Sequence, residues 1–176
     1  MLRKIFPAIG LVFLLTGCHS SSIPTPQSEQ AKADAQAIVD SQRSELAMIP
    51  PPSKSRFMAI HSMESWQNPS ITVQASMLEL RVTLADANPS PIGVGGITRP
   101  IGARKQELNI SFDKLGEAVS SIPESAWPYG RVIALEEAHK VPASAEPTVR
   151  RSMERAIDKL TDLGIVVYDP EEGNIR

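Results

Sequence analysis

The sequence predicts an α/β (α+β) fold, in which a small sheet carries a C-terminal strand–helix–strand unit and follows a helical N-terminal stalk. Three observations indicate this fold. Apolar residues alternate along 71–84, a continuous apolar run occupies 132–135, and apolar residues at helical spacing occupy 147–163 ahead of a last apolar run. A chain of 176 residues is long enough to bury the core of one such domain.

The C-terminal unit is the clearest pattern. Residues 131–135 read Arg-Val-Ile-Ala-Leu, which suits a strand covered on both faces. Pro147 suits the first position of the following helix, and Gly164 suits the residue just beyond its end. Residues 165–168 then form the last strand. If the two strands are parallel, the unit is a right-handed βαβ motif.

The segment 71–84 changes its alternation at Met77-Leu78, where two apolar residues stand side by side. A strict period of two cannot continue through such a pair, so either a bulge lies there or two strands meet. No Gly, Pro or Asn marks a turn. We therefore expect one long strand with a bulge.

Residues 87–105 are rich in Gly and Pro and predict a long loop, either a mobile hairpin or a partner-binding segment. Its Gly-Val-Gly-Gly sequence lacks the pattern of a phosphate-binding loop. Alternation at 108–112 predicts a short second strand. Asp113 is then expected to cap a helix that runs to about Ile122.

Residues 28–49 have helix-favouring composition, with apolar residues near a period of 3.6. This helix either docks on the domain or a partner, or forms a partly helical stalk. Three prolines at 50–52 end it and mark a boundary. Residues 53–68 fit either a short helix or an irregular segment packed on the sheet.

The N-terminus has the features of a signal peptide. Arg3 and Lys4 precede an apolar run at 5–15, which is too short to span a bilayer because spanning needs about 20 apolar residues. Leu15-Thr16-Gly17-Cys18 follows, and it resembles the lipobox of bacterial lipoproteins.

The lipobox resemblance implies cleavage before Cys18, attachment of lipid to its sulfur, and acylation of the new α-amine. His19, rather than Asp, follows the cysteine, which favours the outer membrane by the same resemblance. We therefore expect a signal peptide at 1–17, a lipidated tether with a helix at 18–52, and a periplasmic domain at 53–176. Cys18 is the only cysteine, so the chain can form no internal disulfide.

No set of side chains predicts catalysis, a cofactor or a metal. Three histidines are present, and no GxSxG sequence accompanies them. Glu136, Glu137 and His139 form one cluster of possible ligands, but without a second His or a Cys they indicate a solvated loop. Asp169, Glu171 and Glu172 lack the spacing of a calcium loop.

The charge excludes general nucleic-acid binding. Of 18 basic side chains, Arg3 and Lys4 would leave with the signal peptide, so 16 would face 20 acidic ones without a concentrated basic surface. Trp127, Pro128 and Tyr129 are expected to form a turn whose aromatic rings close the edge of the core. The alternative for them is a recognition surface.

Residues 132–168 also resemble the periplasmic domain of the biopolymer-transport proteins of the TolR/ExbD kind. The resemblance rests on a strand, a loop with Val141-Pro142, a helix ending in Leu163-Gly164-Ile165, and a strand. It implies that order of elements, and no function is carried over from it, since those proteins are anchored by a transmembrane helix.

These features predict a non-enzymatic lipoprotein of the bacterial envelope, bound to the lipid bilayer through Cys18. We expect it to be an accessory or assembly subunit with an envelope protein as partner, in a secretion, pilus or conjugation apparatus. Two alternatives remain open. One is a periplasmic enzyme or small-ligand binder acting around Glu136, Glu137 and His139, and the other is a surface-exposed lipoprotein of adhesion or exclusion.

Overall fold

The computed structural model describes residues 26–85 and 103–176, which form one mixed six-stranded sheet with helices. The helices are α1 (Pro26–Leu46), α2 (Lys54–Phe57), α3 (Leu115–Ser120) and α4 (Glu146–Asp162). The strands are β1 (Ser70–Val73), β2 (Leu78–Ala85), β3 (Ala103–Ile110), β4 (Val132–Glu137), β5 (Val166–Asp169) and β6 (Asn174–Ile175). The α+β class predicted from the sequence is confirmed.

The strands lie in the order β3-β2-β1-β4-β5-β6. The three central strands β1, β4 and β5 are parallel, and the remaining neighbours pair antiparallel. The sheet therefore has a parallel centre flanked by an antiparallel hairpin on one side and a two-residue strand on the other.

The predicted unit of strand, helix and parallel strand is confirmed. β4 pairs directly with β5, with Val132 opposite Val166. Gly164 has a φ of +76°, and the amide nitrogens of Gly164 and Ile165 donate to the carbonyl oxygens of Thr161 and Leu160 at 2.9 and 3.0 Å. These two bonds satisfy carbonyl groups at the end of α4 and turn the chain into β5.

The strand β4 is buried on both faces, as its sequence predicts. Ile133 and Leu135 belong to the larger core beneath α3 and α4, whereas Val132 and Ala134 belong to a smaller aromatic core on the opposite face. Because successive side chains of a strand point to opposite faces, a continuous apolar run serves both cores.

Residues 53–68 contain α2 and irregular chain, and they cover the second face of the sheet. Phe57, Trp66 and Tyr168 form the centre of this aromatic core, with the rings of Trp66 and Tyr168 stacked at 5.3 Å and Phe57 edge-on to both. The hydroxyl of Tyr168 donates to the carbonyl oxygen of Ile60 at 2.9 Å. The segment is thus fixed to β5 by packing and by a hydrogen bond.

Asn68 joins this segment to the start of β4. Its side chain is buried, and Nδ2 donates to the carbonyl oxygens of Gly130 and Val132 at 2.8 and 2.7 Å. Its Oδ1 accepts from the amide nitrogen of Tyr129 at 2.8 Å. One buried amide thereby satisfies three backbone groups, which would be costly to leave unpaired inside the protein.

The expected bulged strand at 71–84 is wrong. Residues 70–85 form two antiparallel strands, with Val73 opposite Leu78, and the chain reverses through the four residues between them. The amide nitrogen of Gln74 donates to the carbonyl oxygen of Met77 at 3.0 Å. A four-residue connection is commonly built on a type I turn, which needs no glycine, so the turn leaves no marker in the sequence.

The chain from β3 to α3 also differs from the prediction. Asp113 lies inside a short 3₁₀ turn, Phe112–Lys114, and caps nothing; α3 begins only at Leu115. β3 begins at Ala103, within the segment expected to be a loop, and the rest of that segment lies outside the described residues. The short strand β6 was not predicted.

The helix α1 packs on the domain through its C-terminal half. Leu46 and Ile49 just after it are buried in the larger core, and Val39 packs against that core. Residues 29–38 are all exposed, with Ile38 at 58%. Within the described residues, no helix has the length and apolar character needed to cross a membrane.

Candidate functional site

The carboxyl ends of β4 and β5 border a pocket of about 530 Å³. The ends of these strands and the chain that follows them supply most of its charged side chains, and α4 closes it with Glu146, Val149 and Met153. Ligand sites of α/β sheets commonly lie outside the carboxyl ends of parallel strands. This pocket is therefore the candidate functional site.

The pocket brings together two groups of residues that lie far apart in the sequence. Glu136 and Glu137 end β4 and His139 follows it, whereas Asp169 ends β5 and Glu171 and Glu172 follow it. Each group alone predicts only a solvated loop or turn. Because β4 and β5 are parallel neighbours, the structure places both at one edge of the sheet.

Six acidic side chains line the pocket against two basic ones, Lys140 and Arg176. Thr72 at the end of β1 donates to Oε1 of Glu136 at 2.9 Å. Glu137 and Glu146 form no ion pair within the described parts of the chain. The surplus negative charge suits a cationic group rather than an anion.

Asp169 has a structural task at this site. It is only 8% exposed, and its Oδ1 accepts the amide nitrogens of Glu171 and Glu172 at 2.9 and 3.1 Å. Its Oδ2 accepts Nη2 and Nε of Arg176 at 2.7 and 3.1 Å. The carboxylate therefore holds the turn between β5 and β6 and fastens the C-terminal residue to the wall of the pocket.

The loop after β4 has an unusual backbone. Lys140 has a φ of +61°, and among the described residues it is the one non-glycine with positive φ. Such a conformation costs of order 1 kcal/mol in a residue with a side chain, and it is often found at binding sites. The described residues contain no group of three or more His, Cys, Asp or Glu side chains placed to hold a metal ion.

A second concave surface, of about 680 Å³, lies between Pro50-Pro51 and the turn at 124–130. Arg56 lines it and donates to the carbonyl oxygen of Pro128 at 2.8 Å. Trp127 is buried in the larger core and Tyr129 in the aromatic core. The expected turn whose rings close the core edge is confirmed.

The remaining candidate residues are separate from the pocket. Cys18 and the lipobox lie outside the described residues. His61 contacts the turn before β6, since a Cβ on Gly173 would lie 2.8 Å from its Cε1. Searches of protein-family models, curated proteins and solved structures give no match to this chain.

Proposed function

We propose that this protein is a lipoprotein of the bacterial envelope, anchored in the outer membrane through acylated Cys18 and facing the periplasm. It serves as a non-enzymatic accessory or assembly subunit of an envelope complex of the secretion, pilus or conjugation type. The observation that carries the proposal is Leu15-Thr16-Gly17-Cys18, placed directly after a short basic and apolar leader and containing the only cysteine.

The form of the N-terminal helix supports a tethered domain. Seven residues separate Cys18 from the start of α1, and residues 29–38 of α1 are exposed while its C-terminal part packs on the domain. At about 1.5 Å of rise per residue, these ten residues add about 15 Å between the anchor and the domain. A subunit that must reach its partner from a membrane needs such a spacer.

The anchor is tested by cell fractionation. We expect the wild-type chain in the outer-membrane fraction and a Cys18→Ser variant, which cannot be thioether-linked to lipid, outside it. A His19→Asp variant is the matched control for location, because it keeps the cysteine and is expected to move to the inner membrane. Wild type and Cys18→Ser found in the same fraction would contradict the anchor.

The role as a subunit is tested with a photo-crosslinking amino acid at exposed positions of the full chain in living cells. Ile38 samples the free half of α1, Glu171 samples the pocket rim, and Lys54 samples the opposite face of the sheet. We expect one position to capture a defined envelope protein and the others not to. Capture of nothing at every position by a chain that is folded and anchored would contradict the role.

The acidic pocket favours a second candidate function, the binding of a small cationic ligand. Its support is the convergence of two acidic segments at the carboxyl ends of parallel strands, beside a strained backbone at Lys140. Spermidine and trilysine are suitable probes. We expect each to raise the melting temperature of the wild type more than that of a Glu137→Gln/Glu171→Gln variant.

The control for the pocket is Glu64→Gln/Glu124→Gln, which removes the same charge from other exposed surfaces. Equal increases in melting temperature in the wild type and both variants would show unspecific charge screening and would contradict the binding of a cationic ligand in the pocket.

A further inference from the structure

The strand β3 lies at one end of the sheet that the described residues form, and its outer edge is eight residues long. It pairs with β2 over eight consecutive positions without a bulge, from Leu78 opposite Ile110 to Ala85 opposite Ala103. On its other side, no strand of the described chain pairs with it. Such an edge presents a row of unpaired N–H and C=O groups, which natural proteins usually protect.

Within the described residues, this edge lacks two of the usual protections and has a third. The strand reads Ala-Arg-Lys-Gln-Glu-Leu-Asn-Ile, with no proline and no bulge in its pairing with β2. Its three charged residues, Arg104, Lys105 and Glu107, would repel a strand of like charge but can pair with a strand of complementary charge. Leu108 is also 40% exposed on the face that packs against the larger core. These features suit an edge that is completed by another strand.

We propose that β3 pairs antiparallel with the β3 of a second copy of this chain, about a twofold axis at Gln106. The pairing would join two six-stranded sheets into one continuous sheet. The occupant of the edge is thus the protein itself, and the reason is the complementarity of the edge to its own sequence.

Backbone geometry first limits the register. In an antiparallel pair, a residue whose N–H and C=O point outward must lie opposite another outward-pointing residue. Residues that point outward alternate along a strand with residues that point inward. A twofold axis between two adjacent residues would place an outward-pointing residue opposite an inward-pointing one. Two identical edges can therefore pair only about an axis that passes through a residue. The axis must then lie at one of the positions from Arg104 to Leu108.

Side-chain charge then selects among these positions. An axis at Arg104, Lys105 or Glu107 would place identical charges opposite each other. An axis at Gln106 places Lys105 opposite Glu107 of the second copy, twice in the dimer, and the two Gln106 amides opposite each other. An axis at Leu108 avoids like charges but shortens the pairing, since β3 ends at Ile110.

The surroundings of these side chains agree with the axis at Gln106. Nε of Arg81 lies 3.0 Å from Oε1 of Glu107, while Lys105 lies opposite Thr83, which has no charge. Lys105 of the second copy would therefore extend the pair of Arg81 and Glu107 into a cross-strand row. On the other face, Leu108 would lie opposite Arg104 of the second copy, whose methylene stem can cover it.

The first test uses single cysteines in the full chain purified in detergent. Opposite residues at the axis have Cα atoms about 4.5–5.5 Å apart, within the range of a disulfide. Equivalent residues two positions from the axis are about 14 Å apart, which is out of range. The variants are Gln106→Cys, Arg104→Cys and Leu108→Cys, and the wild type reports any contribution from Cys18.

We expect Gln106→Cys to form disulfide-linked dimers at least about 10-fold more than the other two variants. Dimers mainly from Leu108→Cys would overturn the proposed axis. No dimers above the wild-type level in any variant would overturn the pairing, including the case in which another segment of the chain covers the edge.

The second test reverses charges and measures the dimer dissociation constant by analytical ultracentrifugation. Lys105→Glu and Glu107→Lys each place two pairs of like charges across the axis, and we expect each to weaken the dimer at least about 10-fold. The double variant restores opposite charges, and we expect it to return to within a few-fold of the wild type. Lys54→Glu, on an exposed part of α2, is the control for net charge.

Unfolding curves of every variant separate a loss of pairing from a loss of folding, since Glu107→Lys also removes the partner of Arg81. Failure of the double variant to recover would contradict the Lys105–Glu107 pairing. Neither test depends on lipid at Cys18 or on another envelope protein, so these outcomes are independent of the function proposed above.

Discussion

Arg43 of α1 donates from Nε to the backbone carbonyl oxygen of Asp162 at 2.8 Å, and its Nη2 donates to the same oxygen. Asp162 is the last residue of α4, where backbone carbonyl groups have no partner within the helix. A cation at this end of a helix is also favoured by the helix dipole. The contact therefore fastens the N-terminal helix to the domain near the C-terminal end of the chain.

We predict that Arg43→Ala loosens α1 without unfolding the sheet. The change removes a charged donor from a half-exposed contact, so it should lower the free energy of unfolding by about 1 kcal/mol. Hydrogen exchange should become faster at the C-terminal end of α1 and stay unchanged in β4. Arg150→Ala, which truncates an exposed arginine on α4, is the control, and equal exchange in both variants would contradict the fastening role.

Asn68→Ala should be one of the most destabilising substitutions of a polar residue. It removes the side-chain partner of the amide nitrogen of Tyr129 and of the carbonyl oxygens of Val132 and Gly130, of which the last still accepts the amide nitrogen of Val132 at 2.7 Å. We expect a loss of about 3 kcal/mol in the free energy of unfolding. Chemical denaturation measures this loss. Gln67→Ala changes the exposed neighbour and should stay within about 0.5 kcal/mol of the wild type. Similar values for both variants would show that the Asn68 contacts contribute little.

Two glycines should respond differently to alanine. Gly130 has a φ of +82°, and a Cβ there would lie 2.4 Å from the carbonyl oxygen of Pro51, which is backbone and cannot move away easily. We expect Gly130→Ala to cost about 3 kcal/mol or more. At Gly116 the nearest atom is the movable end of Gln42, so Gly116→Ala should stay within about 1 kcal/mol of the wild type. Equal losses in thermal unfolding would contradict this distinction.

Alkaline pH should destabilise the protein through Tyr168. Burial of its ring, and secondarily the neighbouring carboxylate of Asp169, raise the pKa of this phenol above its ordinary value of 10.0. The unfolded chain then ionises before the folded one. The contribution of Tyr168 is therefore intact below pH 10 and is lost as the pH rises through the folded-state pKa.

Tyr168→Phe tests this dependence. It should cost about 1 kcal/mol at neutral pH, because the carbonyl oxygen of Ile60 loses its donor, and it should make the alkaline decline shallower. Burial also raises the pKa of Tyr129, so part of the decline should persist until Tyr129 is replaced as well. An alkaline decline as steep in Tyr168→Phe as in the wild type would contradict the assignment.

The sequence could predict those elements whose residues repeat with a clear period. The unit from β4 to β5 was predictable because α4 has apolar residues at helical spacing between Pro147 and Gly164, and because β4 is apolar throughout. The hairpin of β1 and β2 was not predictable, because its turn at 74–77 contains no Gly, Pro or Asn. Nor could spacing alone show that Asn68, a single polar residue, would fix three backbone groups.

The candidate pocket was predictable only in part. The sequence indicates Glu136 and Glu137 as possible ligands, but as an isolated cluster they indicate a solvated loop. Asp169, Glu171 and Glu172 join them only through the topology of the sheet, because parallel neighbouring strands bring their carboxyl ends to one edge.

Mass spectrometry of the N-terminal peptide from the purified protein tests the central claim most directly. The account predicts that the protein begins at Cys18 and that this residue carries lipid on its sulfur and an acyl group on its α-amine. A chain that begins at Met1, or one with an unmodified Cys18, would contradict the claim that this domain is held in the envelope by a lipid anchor.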